Sequence, residues 1–357
     1  MITRRARLSA AVTLSFLLAL VPLVGALRVR AAAPERLTDQ EFWKLSADSS
    51  EPDGNFRSEN LLSNEFGMQW VIPDLVATAK QGRAYLGVGP EQNFTYIAAL
   101  KPSIVFIIDI RRGNLDLQLM YKALFELSAD RAEFYSRLFS KKRPDGLPAS
   151  SSAADIVNAF TPVATSDALY KENLQAIEDL LTKKHGFQLS ELDVRGLEWV
   201  YQQFYYFGPS IDYNSAGSGF GGGFGSSPTY GDLTAATDSR GVERGYLSSE
   251  ERFGVLKDLE TRNLIVPVVG DFGGPKAIRA VGTYLKGKDV MVSAFYLSNV
   301  EQYLQQDAKW SSFCRSVATL PLDETSTFIR STRGGFGPGP GLNSQLGAMA
   351  AEVKSCR

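Results

Sequence analysis

Tyr85-Leu86-Gly87-Val88-Gly89-Pro90-Glu91 is the stretch on which the reading of this chain turns. Arg83–Gly87 is a short apolar strand ending in glycine, and Glu91–Leu100 has helical spacing. Ser103–Asp109 is then an unbroken apolar run of strand length, suited to a parallel strand covered on both faces. Strand, glycine turn, helix and strand make one βαβ unit. Such a turn lets backbone approach a ligand and aims the free N–H groups of a helix N-terminus at polar ligand atoms. Asp109 stands twenty residues after Gly89, at the next strand tip, where an acid accepts ribose hydroxyls. The structural alternatives are a plain tight turn at Gly87 and Gly89 and a helix N-cap at Asp109. A dinucleotide is disfavoured. Gln92 or Asn93 stands where a third glycine belongs, Pro90 interrupts the turn, and a pyrophosphate would meet the Glu91 carboxylate. A ligand with a cationic end tolerates that carboxylate.

Outward from this unit, residues 34–82 read as a helical lead-in. Thr38 and Glu41 form a capping box, Ser46–Glu59 is irregular, and Val71–Gln81 is a helix with Pro73 in its first turn. Residues 114–207 read as a helical insertion: Leu115–Phe139, Tyr170–His185 ending at Gly186, and a helix capped by Ser190 that runs to about Phe207. Residues 208–231 are Gly-rich with Phe220 and Phe224, which predicts a mobile loop. Ser249 caps a helix to about Arg262. Strands follow at Leu264–Asp271 and Asp289–Ser298, with a helix at Pro275–Leu285 between them. Val300–Gln306 and Trp310–Leu320 are helices, Thr325–Ser331 is a last strand, and Gly334–Gly341 is flexible. The pattern predicts an α/β fold: a doubly wound, mostly parallel Rossmann-like sheet over residues 83–357, carrying the large helical insertion.

Composition narrows the function. The chain has 357 residues, 38 basic against 39 acidic, so no overall field favours nucleic acid. There is one histidine, His185, whose expected role is at a helix C-terminus, and there is no CxxC; no metal is expected. The sequon Asn93-Phe94-Thr95 falls in a helix expected to be buried. Met1–Ala33 is a basic start (Arg4, Arg5, Arg7), an uncharged apolar run over residues 8–27 and small residues at Ala31–Ala33. That is a signal peptide for a periplasmic or secreted protein, or else a membrane anchor. Thr3-Arg4-Arg5-Ala6-Arg7-Leu8 partly resembles a twin-arginine signal, a route for folded proteins. In an oxidising compartment Cys314 and Cys356 would pair across about 40 residues; the alternative is a frayed tail with two free thiols.

The order GVGPE (87–91), IDIR (108–111), VVGDF (268–272) and DVMVSAFYLSN (289–299) resembles the strand-end motifs of class I S-adenosylmethionine-dependent methyltransferases. The resemblance implies S-adenosylmethionine as cofactor, with Gly87, Gly89 and Glu91 by its methionine part. It implies Asp109 on the ribose, Asp271 and Phe272 by the adenine, and Phe295, Tyr296, Ser298 and Asn299 facing the substrate. Read from the residues alone, Asp271 is an ordinary turn residue and Ser298 and Asn299 cap the next helix. The sequence departs from the family in lacking an acid before Gly87 and in holding about 150 residues between the second and third strands. The mature chain is also similar to a bacterial family of uncharacterised proteins with a methyltransferase-like fold. The similarity runs through EFWKLSADSSEPDGNFRSENLLSNE (41–65), GVGPEQNFTYIAALKP (87–102) and KALFELSADRAEFYSRLFS (122–140).

Two functions from different classes stand. One is a methyltransferase, closed by its insertion, that needs alignment more than acid–base chemistry. The other is an exported, non-catalytic protein that keeps the fold and binds a nucleoside-like ligand or a protein partner. An α/β hydrolase is disfavoured, since no GxSxG occurs. Export makes a prediction of its own: N-terminal sequencing of native protein should start near Ala31–Pro34, and a start near Met1 would leave the anchor.

Overall fold

The structure, a computed structural model, describes residues 33–216, 227–333, 342–354 and 356. The signal-like segment, the centre of the Gly-rich stretch and Gly334–Gly341 lie outside the described residues. Helices α1 (Asp39–Ser49) and α2 (Ile72–Thr78) precede β1 (Ala84–Gly87), α3 (Gln92–Leu100) and β2 (Ile104–Asp109). Next come α4 (Arg112–Leu127), α5 (Arg131–Leu138), α6 (Ala153–Phe160), α7 (Asp167–Asp179), a π-helical turn (Leu180–Lys184), α8 (Glu191–Phe207), α9 (Tyr230–Ala235) and α10 (Glu250–Thr261). The remainder is β3 (Ile265–Val269), α11 (Ala277–Gly287), β4 (Val292–Ser298), α12 (Val300–Gln306), α13 (Trp310–Val317), β5 (Thr327–Arg333), β6 (Leu342–Ala348) and α14 (Met349–Val353).

The strands form one six-stranded sheet in the order β3-β2-β1-β4-β5-β6. The first five are parallel, and β6 pairs antiparallel with β5. β1, β2 and β3 are buried along their whole length, which is why their sequences are continuous apolar runs. Alternation assigns the faces. Tyr85 reaches Asn93 on the α3 face, while Phe106 packs against Tyr284 of α11 on the other. The chain leaves β1 in both directions across the sheet. The β1 and β4 tips therefore border the crevice where such sheets bind ligands.

Several expected elements are redrawn. The run Leu115–Phe139 is two helices, not one. Ser128 turns back onto the Leu124 carbonyl, and Asp130 caps α5 through the Glu133 amide at 2.8 Å. Short polar side chains there outcompete the helical backbone bonds. Tyr170–His185 is α7 followed by the π-helical turn, and the helix expected at Val71–Gln81 stops at Thr78. β6 carries no β-branched residue; its pairing with β5, rather than local propensity, makes it a strand. The insertion is bolted to the segment before α10 by Arg131, fully buried, whose guanidinium meets Glu250 at 2.8 Å and the carbonyls of Leu247, Ala149 and Ser151. Among the described residues no helix is long and apolar enough to cross a membrane.

Cys314 of α13 and Cys356 are joined by a disulfide, with Cα atoms 5.4 Å apart and a sequence separation of 42. Replacing Cys356 by Ser should lower stability by roughly 2–4 kcal/mol in denaturant melts. Two reactive thiols per chain in denatured, unreduced protein would rule the bridge out.

Candidate functional site: the strand tips

At the end of β1, Gly87 is required by a neighbour inside the protein. A Cβ there would stand 1.8 Å from Oδ1 of Asn93. The Asn93 amide is buried, accepts from the Tyr85 hydroxyl at 2.9 Å and donates to the carbonyls of Val88 at 2.9 Å and Pro90 at 2.8 Å. Gln118 donates to the Gly89 carbonyl at 3.0 Å. The turn is thus satisfied from within by side chains where a dinucleotide turn has its third glycine. Gly89 has φ +77°, and a Cβ on it would lie 4.0 Å from Oδ2 of Asp109 and 3.1 Å from Nδ2 of Asn60. The tips of β1 and β2 meet as their spacing predicts, but Asn60 of the lead-in is there too.

Asp109 is 5% exposed. Its Oδ1 accepts from the Arg111 amide at 3.0 Å and lies 3.4 Å from the Arg111 guanidinium. The N-cap position of α4 is Arg111, so the capping role considered for Asp109 is replaced by a local turn. The Arg111 guanidinium also donates to the Glu59 carbonyl.

Residues 50–66, between α1 and α2, run across the strand tips. Glu51 accepts from the amides of Lys276 at 2.7 Å, Ala277 at 2.9 Å and Asp271 at 3.2 Å, and so closes the N-terminus of α11. Asp53 accepts from the Arg112 amide at 2.7 Å, at the N-terminus of α4. The Glu51 amide donates to Val269 at 2.7 Å and the Gly54 amide to Ile110 at 2.9 Å. Carboxylates favour helix N-termini because the free N–H groups and the dipole both attract negative charge. Glu65 ends the segment at β4, accepting from the hydroxyls of Tyr296 and Ser298, the latter at 2.6 Å.

The residues expected along β3 and β4 divide between the two faces. Asp271 bonds the Gly273 amide at 2.8 Å and Lys309 at 2.6 Å. Phe272 packs with Phe295 at 5.5 Å and Phe313 at 6.1 Å, inside the core. Tyr296 points the other way and also accepts from Gln92 at 2.7 Å. Ser298 serves Glu65, and Asn299, in the N-cap position of α12, makes no side-chain cap bond. The substrate-facing set therefore does not converge on one space.

Glu91 departs furthest from expectation. It is 3% exposed, neither carboxylate oxygen makes a hydrogen bond of good geometry, and it lines a small cavity of about 10 Å³ with Met68, Thr95, Tyr230 and Tyr246. That is room for one water. Burial pushes its carboxyl up to about 8; the amides of Glu91 and Ser63 act against this, and Glu65 adds to it. Asp116 of α4 is pushed up to about 8 by burial and by Asp193, with Arg112 opposing. Sequence reasoning missed Asn60, Glu51, Asp53, Glu65 and Asn93. The one signal was the density of acids in an aperiodic segment.

The chain matches a family model, a domain of unknown function (DUF7790), over residues 61–183 and 228–345, and belongs to that family. Both segments include strand-tip residues, from Gly87 to Asn299. A search of curated proteins found no match.

A carboxyl whose folded value is raised favours the folded state fully below its unfolded value and loses that contribution as pH rises through the folded one. For Glu91 that window runs from 4.5 to about 8. Glu91→Gln should therefore be more stable than the wild type above that window, by roughly 1–3 kcal/mol, and not below it. Equal pH slopes in urea melts of the two proteins would refute the assignment.

Proposed function

We propose that this is an exported, non-catalytic protein with a methyltransferase-like, Rossmann-type sheet whose ligand crevice is filled by its own segment 50–66. The carrying observation is that Glu51, Asp53, Glu59 and Asn60 sit on the two helix N-termini, on Arg111 and against Gly89. In this arrangement the residues do not fit S-adenosylmethionine. The approach to Gly89 is shared with Asn60, one oxygen of Asp109 is held by Arg111, Phe272 is packed among rings, and Glu91 lies in the interior. A protein partner suits the exterior better than a nucleoside suits the crevice. Leu192, Trp199 and Tyr206 recur every seven residues along α8 and are 71%, 37% and 76% exposed.

A second reading has one observation in its favour. The proximity of Gly89 to Asp109 at adjacent parallel tips is what a methyltransferase needs once residues 50–66 move away. Calorimetric titration with S-adenosylhomocysteine separates the two. The mature protein should take up none at millimolar concentration. Asp109→Ala should cost about 1 kcal/mol of stability and change no affinity. Binding that is weakened by Asp109→Ala would overturn the non-catalytic reading in favour of the second.

A further inference from the structure

Glu91 stands in the N-cap position of α3 but makes no side-chain cap bond, and the Asn93 amide serves the carbonyls of the turn instead. The Glu91 carboxylate turns inward, to the small cavity of about 10 Å³ behind the turn. Thr95 lies one helical turn further along the same face of α3. The other walls include Met68, Tyr230 and Thr234 of α9, and Tyr246. Apart from Glu91, none of these residues belongs to the strand tips.

Every polar side chain of this lining carries an acceptor, and none carries a positive charge. Among the described residues Glu91 makes no ion pair, and Glu65 adds negative potential to it. The Tyr230 and Tyr246 hydroxyls bond each other, and Phe94 stands edge-on to Tyr246 at 5.4 Å and to Tyr121 at 5.1 Å. Burial pushes the hydroxyls of Tyr121, Tyr230 and Tyr246 well up, and the Glu91 charge adds to each. Such surroundings reject an anion, and a neutral apolar guest would leave the carboxylate unmatched. A cation is matched twice, by the carboxylate and by the electron-rich rings. Its charge is single, since only one carboxylate lines the space. The described residues hold no cluster of three or more His, Cys, Asp or Glu suited to a metal ion. It is also compact, since the room is that of about one water.

We propose that this cavity binds one compact ammonium group, as free ammonium or methylammonium, between the Glu91 carboxylate, the hydroxyls of Thr95 and Thr234 and the rings of Tyr230 and Tyr246. Its N–H groups point in several directions at once and supply the donors that both carboxylate oxygens lack. The chain folds without it, because a proton can neutralise the buried carboxyl. An ammonium group takes the place of that proton. Once bound, it links α3 to α9 and to residues 245–247, which close the cavity from the side of α10. The site does not depend on whether the crevice at the strand tips is filled.

The test is urea unfolding of the mature chain at about pH 8, the value to which burial pushes the carboxyl, in chloride salts at equal ionic strength. The salts are those of sodium, potassium, ammonium, methylammonium and tetramethylammonium. At about 0.1 M, ammonium and methylammonium should each raise the ratio of folded to unfolded protein about fivefold over sodium. Potassium and tetramethylammonium should not. Glu91→Gln keeps the size of the side chain and removes its charge, and it should abolish the response. Thr95→Val keeps the volume and removes one acceptor, and it should weaken the response about threefold. No response to ammonium in the wild type would leave a site for water only. A response to potassium or tetramethylammonium as large as that to ammonium, a response that survives in Glu91→Gln, or a full response in Thr95→Val would each overturn the assignment.

Discussion

Parallel strands end together, and the ends of such a sheet carry free backbone groups and helix N-termini that need partners. In this protein the partners come from residues 50–66. Their carboxylates close α4 and α11, and their amides bond the carbonyls of Val269, at the end of β3, and Ile110, just past β2. Much else follows from that arrangement. α1 lies against the β3 edge because the segment starts there, and Glu65 is buried against Tyr296 because it ends there. A small molecule seeking the crevice competes with intramolecular bonds whose loop-closure entropy has already been met in folding.

Buried ionisable groups are concentrated around the same end of the molecule, one of them, Glu65, at the end of the filling segment itself. Glu65, Glu91, Asp116 and Glu260 are all held above the ordinary carboxylate range, by burial in the first place. Glu91, Asp116 and Glu260, each pushed up to about 8, are mostly neutral at pH 7, so their burial needs no cation. Lys122 and Arg131 are buried in the opposite way, with anions and carbonyls arranged around them. The first kind of site makes stability fall toward alkaline pH, and the second fixes how the insertion docks. The insertion is tied to the rest of the molecule by Arg131 at the α10 side, by Gln118 at the β1 tip, by Lys122 at Glu260 and by His185 at Asp39 of α1.

The glycines illustrate how one local pattern serves two ends. Gly87 and Gly89 have the spacing of a ligand turn, yet Gly87 makes room for Asn93, and Gly89 supplies a positive φ beside Asn60. Both demands exist without a ligand. A glycine motif at a strand end reports close approach of something to the backbone, and it does not say whether that is a ligand or the chain itself.

The βαβ unit, the burial of β1, β2 and β3, the Ser190 and Ser249 caps and the meeting of Gly89 with Asp109 were legible from the residues, because each follows from periodicity or from contacts close in sequence. The antiparallel β6, the break at Ser128 and the inward turn of Glu91 were not. β6 depends on pairing with β5, and Glu91 on Tyr230 and Tyr246, which come from the segment between the insertion and α10. Above all, Glu51, Asp53 and Glu59 read only as part of the irregular stretch Ser46–Glu59, and Asn60 was given no role, since nothing in an aperiodic acidic segment says what it will cover. Local sequence determined which groups stand at the strand tips. Only the tertiary structure decided what lies on them, because that contact joins residues separated by up to about 220 positions and is selected by shape and charge in three dimensions.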